Sequence, residues 1–570
     1  MNPVDLLVGA PARALLDDPQ FAAAWNDLWT RCPHATVFQS TGFARAWYDV
    51  YESVFQPVIA RCQAGNALTG LWLLAFDPAR NFLVHAGAHQ AEYHVWLATP
   101  ETQHSFLDSA WRQLTAALPF ARLSFKYLPH AQLAAVLCDV PRMSDRITTR
   151  IVQRPLVMLD AARIDAALHK PGNRSRLNRL SRLGAPEFRA LHDFVDLEAL
   201  WDDFIDLYDF RNGALNDSLP FREDPRKRDF YTRWFRAAPG DTVLTATYLA
   251  GRPIAIFWGA RTGTSVHLGM LAHSPFFSRH SPGKMHLLRL NRHLLAKGME
   301  ILDLTPGDDP WKERFANGRC AAAESILHST AGSRRRVELS RRARTTLEPV
   351  VVRLGVRPAH VGEAIAKMRR ATPAAVFRRW IGWVGNELEF RIYRAERGMH
   401  PRFERDPRVA VNRISDLLCF RQSERWETRQ AFLRESLSRL ERGERVYTVC
   451  LEGRLAMHMW VVKQRKSVMT EVRQSLELPA GSMSAYDAYA PPEFRGRGLM
   501  RTVLSRVLHD AFADESISYV YCSMASTNSA SRRSTEAAGF RYLGSLHCRR
   551  RFGRQQRWAD ASLAQEAAHA

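Results

Sequence analysis

The chain has 570 residues, 46% hydrophobic and 24% charged, enough for about three or four domains, which excludes a largely disordered protein. No run approaches the roughly 18–20 apolar residues that span a bilayer, and the N-terminus lacks the basic-then-apolar order of a secretory leader. With 80 Lys and Arg against 58 Asp and Glu the formal charge is +22, which points to an anionic partner such as nucleic acid, acidic lipid or a phosphorylated cofactor. Only 9 of those 80 are lysine, an arginine bias that genomic base composition alone can produce.

Residues 1–155 mix both periodicities. Helical spacing marks 21–32, 43–54 and 104–118, and strand-like runs fall at 57–63, 68–76, 81–88 and 121–128. Residues 156–330 repeat that order. An arginine-studded helical segment (162–184) and helices at 197–213 and 228–238 lead into a three-strand meander over 242–271 with Gly-containing turns. A helix follows, with Pro282 at its start and Gly298 at its stop, then a strand near 299–307. Residues 331–385 are a basic helical linker, with 13 Lys/Arg against 3 Asp/Glu between Arg334 and Arg379. It is either a solvated arm or a contact for an anionic surface such as a membrane face. Residues 386–552 carry strands at 388–396, 445–453, 454–464, 482–490, 517–525 and 540–550, with helices at 424–443, 497–515 and 528–539. The tail, 553–570, reads as flexible.

The eight cysteines are scattered and none has zinc spacing, so they read as reduced thiols of a cytoplasmic protein. His267, His273, His280, His286 and His293 have no HExxH arrangement, and no metal is expected.

The chemistry concentrates where a strand ending at Ala490 meets Pro491-Pro492, neither of which can donate to a ladder. Arg495-Gly496-Arg497-Gly498 then opens a long helix. A glycine-rich turn at a helix start presents unpaired backbone N–H groups at the positive end of the dipole, which suits a pyrophosphate, and the arginines add charge-assisted bonds to phosphate oxygens. About thirty residues later comes Asn528-Ser-Ala-Ser531, then Thr535-Glu536-Ala-Ala-Gly539-Phe540, between two strands. Asn528 can cap that helix and Gly539 end it.

Together these segments resemble the GNAT acyltransferase superfamily. The resemblance implies that Arg495, Gly496, Arg497, Gly498, Leu499 and Met500 form an acyl-CoA pyrophosphate loop, supported by Asn528 and Ser531, with the N–H near Ala490 polarising the thioester carbonyl. Met500 replaces the Gly or Ala of the family pattern and would crowd the phosphates. Thr535 stands where many members keep a tyrosine proton donor. Asp487, and more weakly Glu471, are candidate bases.

A second resemblance lies upstream. Glu92-Tyr93-His94, Lys170 to Arg179, Ser281-Pro282-Gly283 and Asp303-Leu-Thr-Pro-Gly307-Asp308-Asp309-Pro-Trp311-Lys312 look like the CelD-type acetyltransferases of bacterial polysaccharide synthesis, a tandem GNAT-like fold related to the Fem aminoacyltransferases. It implies anion-binding roles for Arg174, Arg176, Arg179, Lys284 and Lys312, acid–base roles for Asp303 and Asp308, and acceptor contacts for Tyr93 and His94.

The expected architecture is therefore α/β (α+β): a tandem GNAT-like pair, 1–155 and 156–330, and a third GNAT unit at 386–552. The expected activity is N- or O-acyl transfer from acetyl-CoA or another acyl-CoA to a sugar or polysaccharide precursor. The expected setting is cytoplasmic, with the linker as a peripheral membrane contact. A Fem-like transfer from charged tRNA and a non-catalytic acyl-CoA sensor are the alternatives. No aromatic-rich RNA-binding motif is present, so nucleic acid is not an expected partner.

Overall fold

The computed structural model describes residues 3–65, 67–307, 309–335, 385–398, 405–423, 427–470, 472–551 and 554–563. Two compact units emerge, one holding the strands up to residue 328 and the other those from residue 385 onward. Asp308, Glu471 and most of the basic linker lie outside the described residues.

The first unit is built on a 13-stranded mixed sheet flanked by helices. Its strands are β1 (Val4–Val8), β2 (Gln56–Ala64), β3 (Ala67–Asp77), β4 (Phe82–His85), β5 (Leu97–Ala98), β6 (Arg122–Leu128) and β7 (Ile147–Met158) from the first half. The second half supplies β8 (Glu187–Leu191), β9 (Thr242–Leu249), β10 (Arg252–Thr262), β11 (Ser265–His273), β12 (Ile301–Asp303) and β13 (Gly318–His328). The spatial order is β1-β2-β3-β4-β6-β13-β7-β12-β11-β10-β9-β8, with β5 on β3.

The two halves exchange their last strands. β13 closes the second half in sequence but lies between β6 and β7, and β7 closes the first half but pairs with β12 of the second. The expected boundary at 155/156 therefore falls inside β7. Neither β7 nor β13 shows clean hydrophobic alternation. β7 exposes Arg150 and buries Arg154, and β13 opens on Gly-Arg-Cys-Ala-Ala-Ala. The expected helix over 162–184 is two helices, Ala161–His169 and Pro171–Ser181, broken at Lys170-Pro171, because a proline ring cannot sit inside a helix.

The second unit has an eight-stranded sheet, β15-β16-β17-β20-β21-β14-β22-β23. The strands are β14 (Gly385–Glu396), β15 (Ala410–Val411), β16 (Arg445–Leu451), β17 (Arg454–Lys463), β20 (Ser482–Tyr489), β21 (Tyr519–Ala525), β22 (Arg541–Arg551) and β23 (Arg554–Ala559), and a separate hairpin joins β18 (Lys466–Met469) to β19 (Gln474–Glu477). β23 occupies part of the tail expected to be flexible; it pairs with β22 from Leu546↔Ala559 to Arg551↔Arg554. The Leu499–Ala513 helix buries Leu499, Val503, Leu504, Val507, Leu508 and Ala511, at the three- and four-residue spacings that make one apolar stripe. Each such leucine or valine contributes about 1.5–3 kcal/mol on burial, and the stripe fixes the helix start beside the end of β20.

Candidate functional site

In the second unit β20 and β21 run parallel and pair only over Ser482–Ala485 and Tyr519–Cys522. Beyond that point they part, β21 continuing on β14 to Ala525 and β20 on β17 to Tyr489. A bulge falls where they part: Tyr486 and Tyr489 face Trp460 and His458, and Asp487 adopts φ +47°. A bulge re-aims the strand's side chains and frees it from its neighbour.

The Arg495–Met500 turn lies at the end of this opened strand. Gly496 and Gly498 have φ of +77° and +74°, and a Cβ on either would meet nothing within 4 Å. The amides of Gly496 through Arg501 donate to no acceptor among the described residues; the first helical bond is Thr502 N–H to Gly498 C=O at 3.2 Å. Open space, unused donors and a helix N-terminus are what a diphosphate requires. Arg495 Nε donates to the Ala490 carbonyl at 2.9 Å and stacks over Tyr489, tying the turn to the strand end. Arg497 lies over the Phe494 ring. Met500 packs against the core beneath the helix. Asn528 caps the Ser529–Ala537 helix through Ser531 N–H at 3.1 Å. Thr535 is fully buried, so it presents no exposed hydroxyl to a departing thiolate.

Asp487 is half exposed and pairs with Arg439, which also holds Glu435 at 3.0 Å and stacks on Trp460 and Tyr486. Next to this pair is a carboxylate that falls within the helix expected over 424–443 but just outside the observed one. Glu427 precedes Thr428, the cap of the Arg429–Arg442 helix. It is half-buried, and its pKa is pushed up to about 7, first by burial and then by the charge of Asp487, with Arg439 opposing. Below them His458 is buried and pushed down to about 4 by loss of solvent, so it is neutral. Only the topology brings residue 427 to residue 487; the one local hint is a carboxylate immediately outside a helix cap.

In the first unit the structure joins two of the expected residues. Tyr93 Oη donates to Asp303 Oδ2 at 2.7 Å, and the same oxygen receives Arg154 Nε at 3.0 Å and His267 Nδ1 at 2.8 Å. Thr305 N–H takes Oδ1 at 2.9 Å. Asp303 has no exposed surface, and these donors hold its carboxyl below its usual range against the opposing cost of burial. An acid–base group that touches an acceptor needs access, which Asp303 lacks; it pins β7, β11 and β12 to the Tyr93 loop. His94 is likewise buried, between the Ala88 carbonyl at 2.9 Å and the Lys126 amide at 3.0 Å, and pushed down to about 4 by burial. Lys312 is buried too, its ammonium on the Thr305 and Pro306 carbonyls at 3.3 Å each.

The remaining basic residues form a cationic face. Arg174 and Arg179 line a groove with His169, Pro171, Ser175, Asn178 and Arg182. Lys284 has its pKa lowered by partial burial and then by Arg176, Lys170 and Arg314. Like charges gathered in this way repel until an anion enters. Lys284 lies in the first turn of the Pro282–Ala296 helix, where the amides of Gly283 and Lys284 donate to no acceptor among the described residues.

Two segments match family models described as acetyltransferase (GNAT) domains, residues 172–313 and residues 415–541. The chain therefore carries two GNAT acetyltransferase domains. No curated protein matches it. Among solved structures it is similar to FemX, at 11% identity over 53% of this chain and 95% of that one, with a TM-score of 0.37. It is also similar to a conserved protein of unknown function from Bacteroides thetaiotaomicron, at 9% identity over 54% and 97%, TM-score 0.37. A putative GNAT acetyltransferase from Novosphingobium aromaticivorans aligns at 20% identity over 28% and 63%, TM-score 0.21. The GNAT matches place one domain model over the cationic face and the other over the Arg495–Met500 turn. Among the described residues no helix is long and apolar enough to cross a membrane.

Proposed function

We propose that the C-terminal GNAT unit transfers an acyl group from acyl-CoA to an amine, with Glu427 as the base. The observation that carries this is the open run of amides from Gly496 to Arg501, beside a strand that has parted from its neighbour. Acyl-CoA supplies the activated carbonyl and a stable leaving thiolate. Arg495, Arg497 and the turn amides hold its diphosphate, and the open edge of β20 can take its pantetheine arm as an added strand. Glu427, with a pKa near 7, accepts the proton that an ammonium must lose before its nitrogen can attack. Asp487 and Glu435 surround the same place with negative charge, which favours a cationic acceptor over a neutral hydroxyl.

The CelD-type resemblance is what directs the acceptor toward an amino sugar of a polysaccharide or cell-envelope precursor, in the cytoplasm or at the inner membrane face. In the N-terminal unit the Lys170, Arg176, Lys284 and Arg314 cluster supports a second donor-binding site of the same chemistry. Calorimetry of the full-length protein with acetyl-CoA tests the reading. It should bind, and Arg497→Ala, which removes one charge-assisted phosphate contact of about 1.5–3 kcal/mol, should weaken binding about 10- to 100-fold. Absence of binding, or a shift of bulk tRNA at physiological salt with no acetyl-CoA binding, would replace it with the Fem-like alternative.

A further inference from the structure

We infer that Cys419 and Cys450 form a reversible thiol–disulfide site that tethers the start of the segment leading to Glu427.

The two residues come from different elements and converge on one carbonyl. Cys419 ends the Ile414–Leu418 helix, and its N–H bonds the Asp416 carbonyl at 3.1 Å. The Cys450 thiol, in β16, reaches the same carbonyl at 3.9 Å and is hydrogen-bonded to Cys419. The Cys419 carbonyl in turn accepts the Leu455 amide at 3.2 Å, and Leu455 is the cross-strand partner of Cys450. Asp416 anchors the helix to the strand through Thr448 at 2.6 Å. These backbone contacts bring the two residues together at one carbonyl, and both are half-buried rather than sealed.

Its bond to Cys419, then burial and the nearby Asp416 charge, push the Cys450 thiol up, so the first attack is assigned to Cys419. The co-reactant is a low-molecular-weight disulfide such as oxidised glutathione. The Cys419 thiolate attacks it, releasing one glutathione thiolate and forming a mixed disulfide. Cys450 then loses its proton to solvent and attacks Cys419 Sγ, releasing the second glutathione; two protein thiols are oxidised and one small disulfide is reduced. The cross-link fixes residue 419 to β16, eight residues before Glu427. Any consequence for Glu427 rests on the reading of that residue above, whereas the cross-link itself does not.

The full-length protein is incubated with oxidised glutathione, alkylated under native conditions and digested without reduction. Mass spectrometry should find the Cys419 and Cys450 peptides joined, and separated again by dithiothreitol. Cys450→Ser should instead hold glutathione on Cys419. Recovery of both thiols alkylated in the treated wild-type protein would overturn the site, whatever the protein's transferase activity. A cross-linked protein with unchanged KM for an amine acceptor would overturn the link to Glu427.

Discussion

Glu427 sits where two opposing influences meet. Burial and Asp487 raise its pKa to about 7, while Arg439 pulls it down. A base acts only when deprotonated, so turnover should rise with pH through about 7. Removing the neighbouring charge in Asp487→Asn relieves the repulsion, and the rising limb of kcat/KM should move to lower pH. Glu427→Gln should abolish the limb and cost about 10²–10⁴-fold in kcat, with acetyl-CoA affinity unchanged. An unshifted profile in Asp487→Asn would show that the two carboxylates do not communicate. At Gly498, φ is +74° with open space beyond it. Gly498→Ala should therefore lose about 1–2 kcal/mol of stability from the left-handed backbone, as well as acyl-CoA affinity, because its Cβ enters the cradle. Thermal unfolding and calorimetry read the two effects separately.

At the scale of elements, Asp303 joins strands that no local pattern would bring together. Asp303→Ala leaves Arg154 buried beside Tyr93 with its ion-pair partner gone, and breaking a buried pair costs about 3–5 kcal/mol. Urea unfolding should show that loss, where a group acting only in catalysis would leave the midpoint in place. The arginine turn, the Asn528 cap, the Gly498 helix start and the three-strand meander were legible because glycine, proline and cap residues carry local chemistry. β7 and β13 were not, because their neighbours on both faces and edges come from the opposite half, and Arg154 is a core residue only through Asp303. For the same reason Tyr93, Asp303 and Lys312 read as candidate chemistry from type and order alone, and burial shows what each one touches. Residues 159–335 expressed alone would leave β12 and β13 without β7, and circular dichroism should show no cooperative transition.

For the whole molecule, the net charge of +22 is not evenly purposeful. Many arginines sit in ion pairs, as Arg150 with Glu324, Arg506 with Asp510 and Arg549 with Glu387. The cluster around Lys284 is different, since partial burial and then the charges of Arg176, Lys170 and Arg314 lower the proton affinity of Lys284. If each unit holds its own donor, calorimetry should return two acetyl-CoA per chain, and Lys284→Glu should reduce this to one while Arg497→Ala in the other unit weakens the remaining site.

The exchanged strands also set the order in which a nascent chain can mature. On the ribosome β6 emerges early, yet the neighbour it needs is made only when Gly318–His328 leaves the exit tunnel. Through that interval a sheet edge and its apolar face wait uncovered, so slowing elongation between codons 130 and 318 should increase this protein's dependence on chaperones far more than slowing it after codon 330.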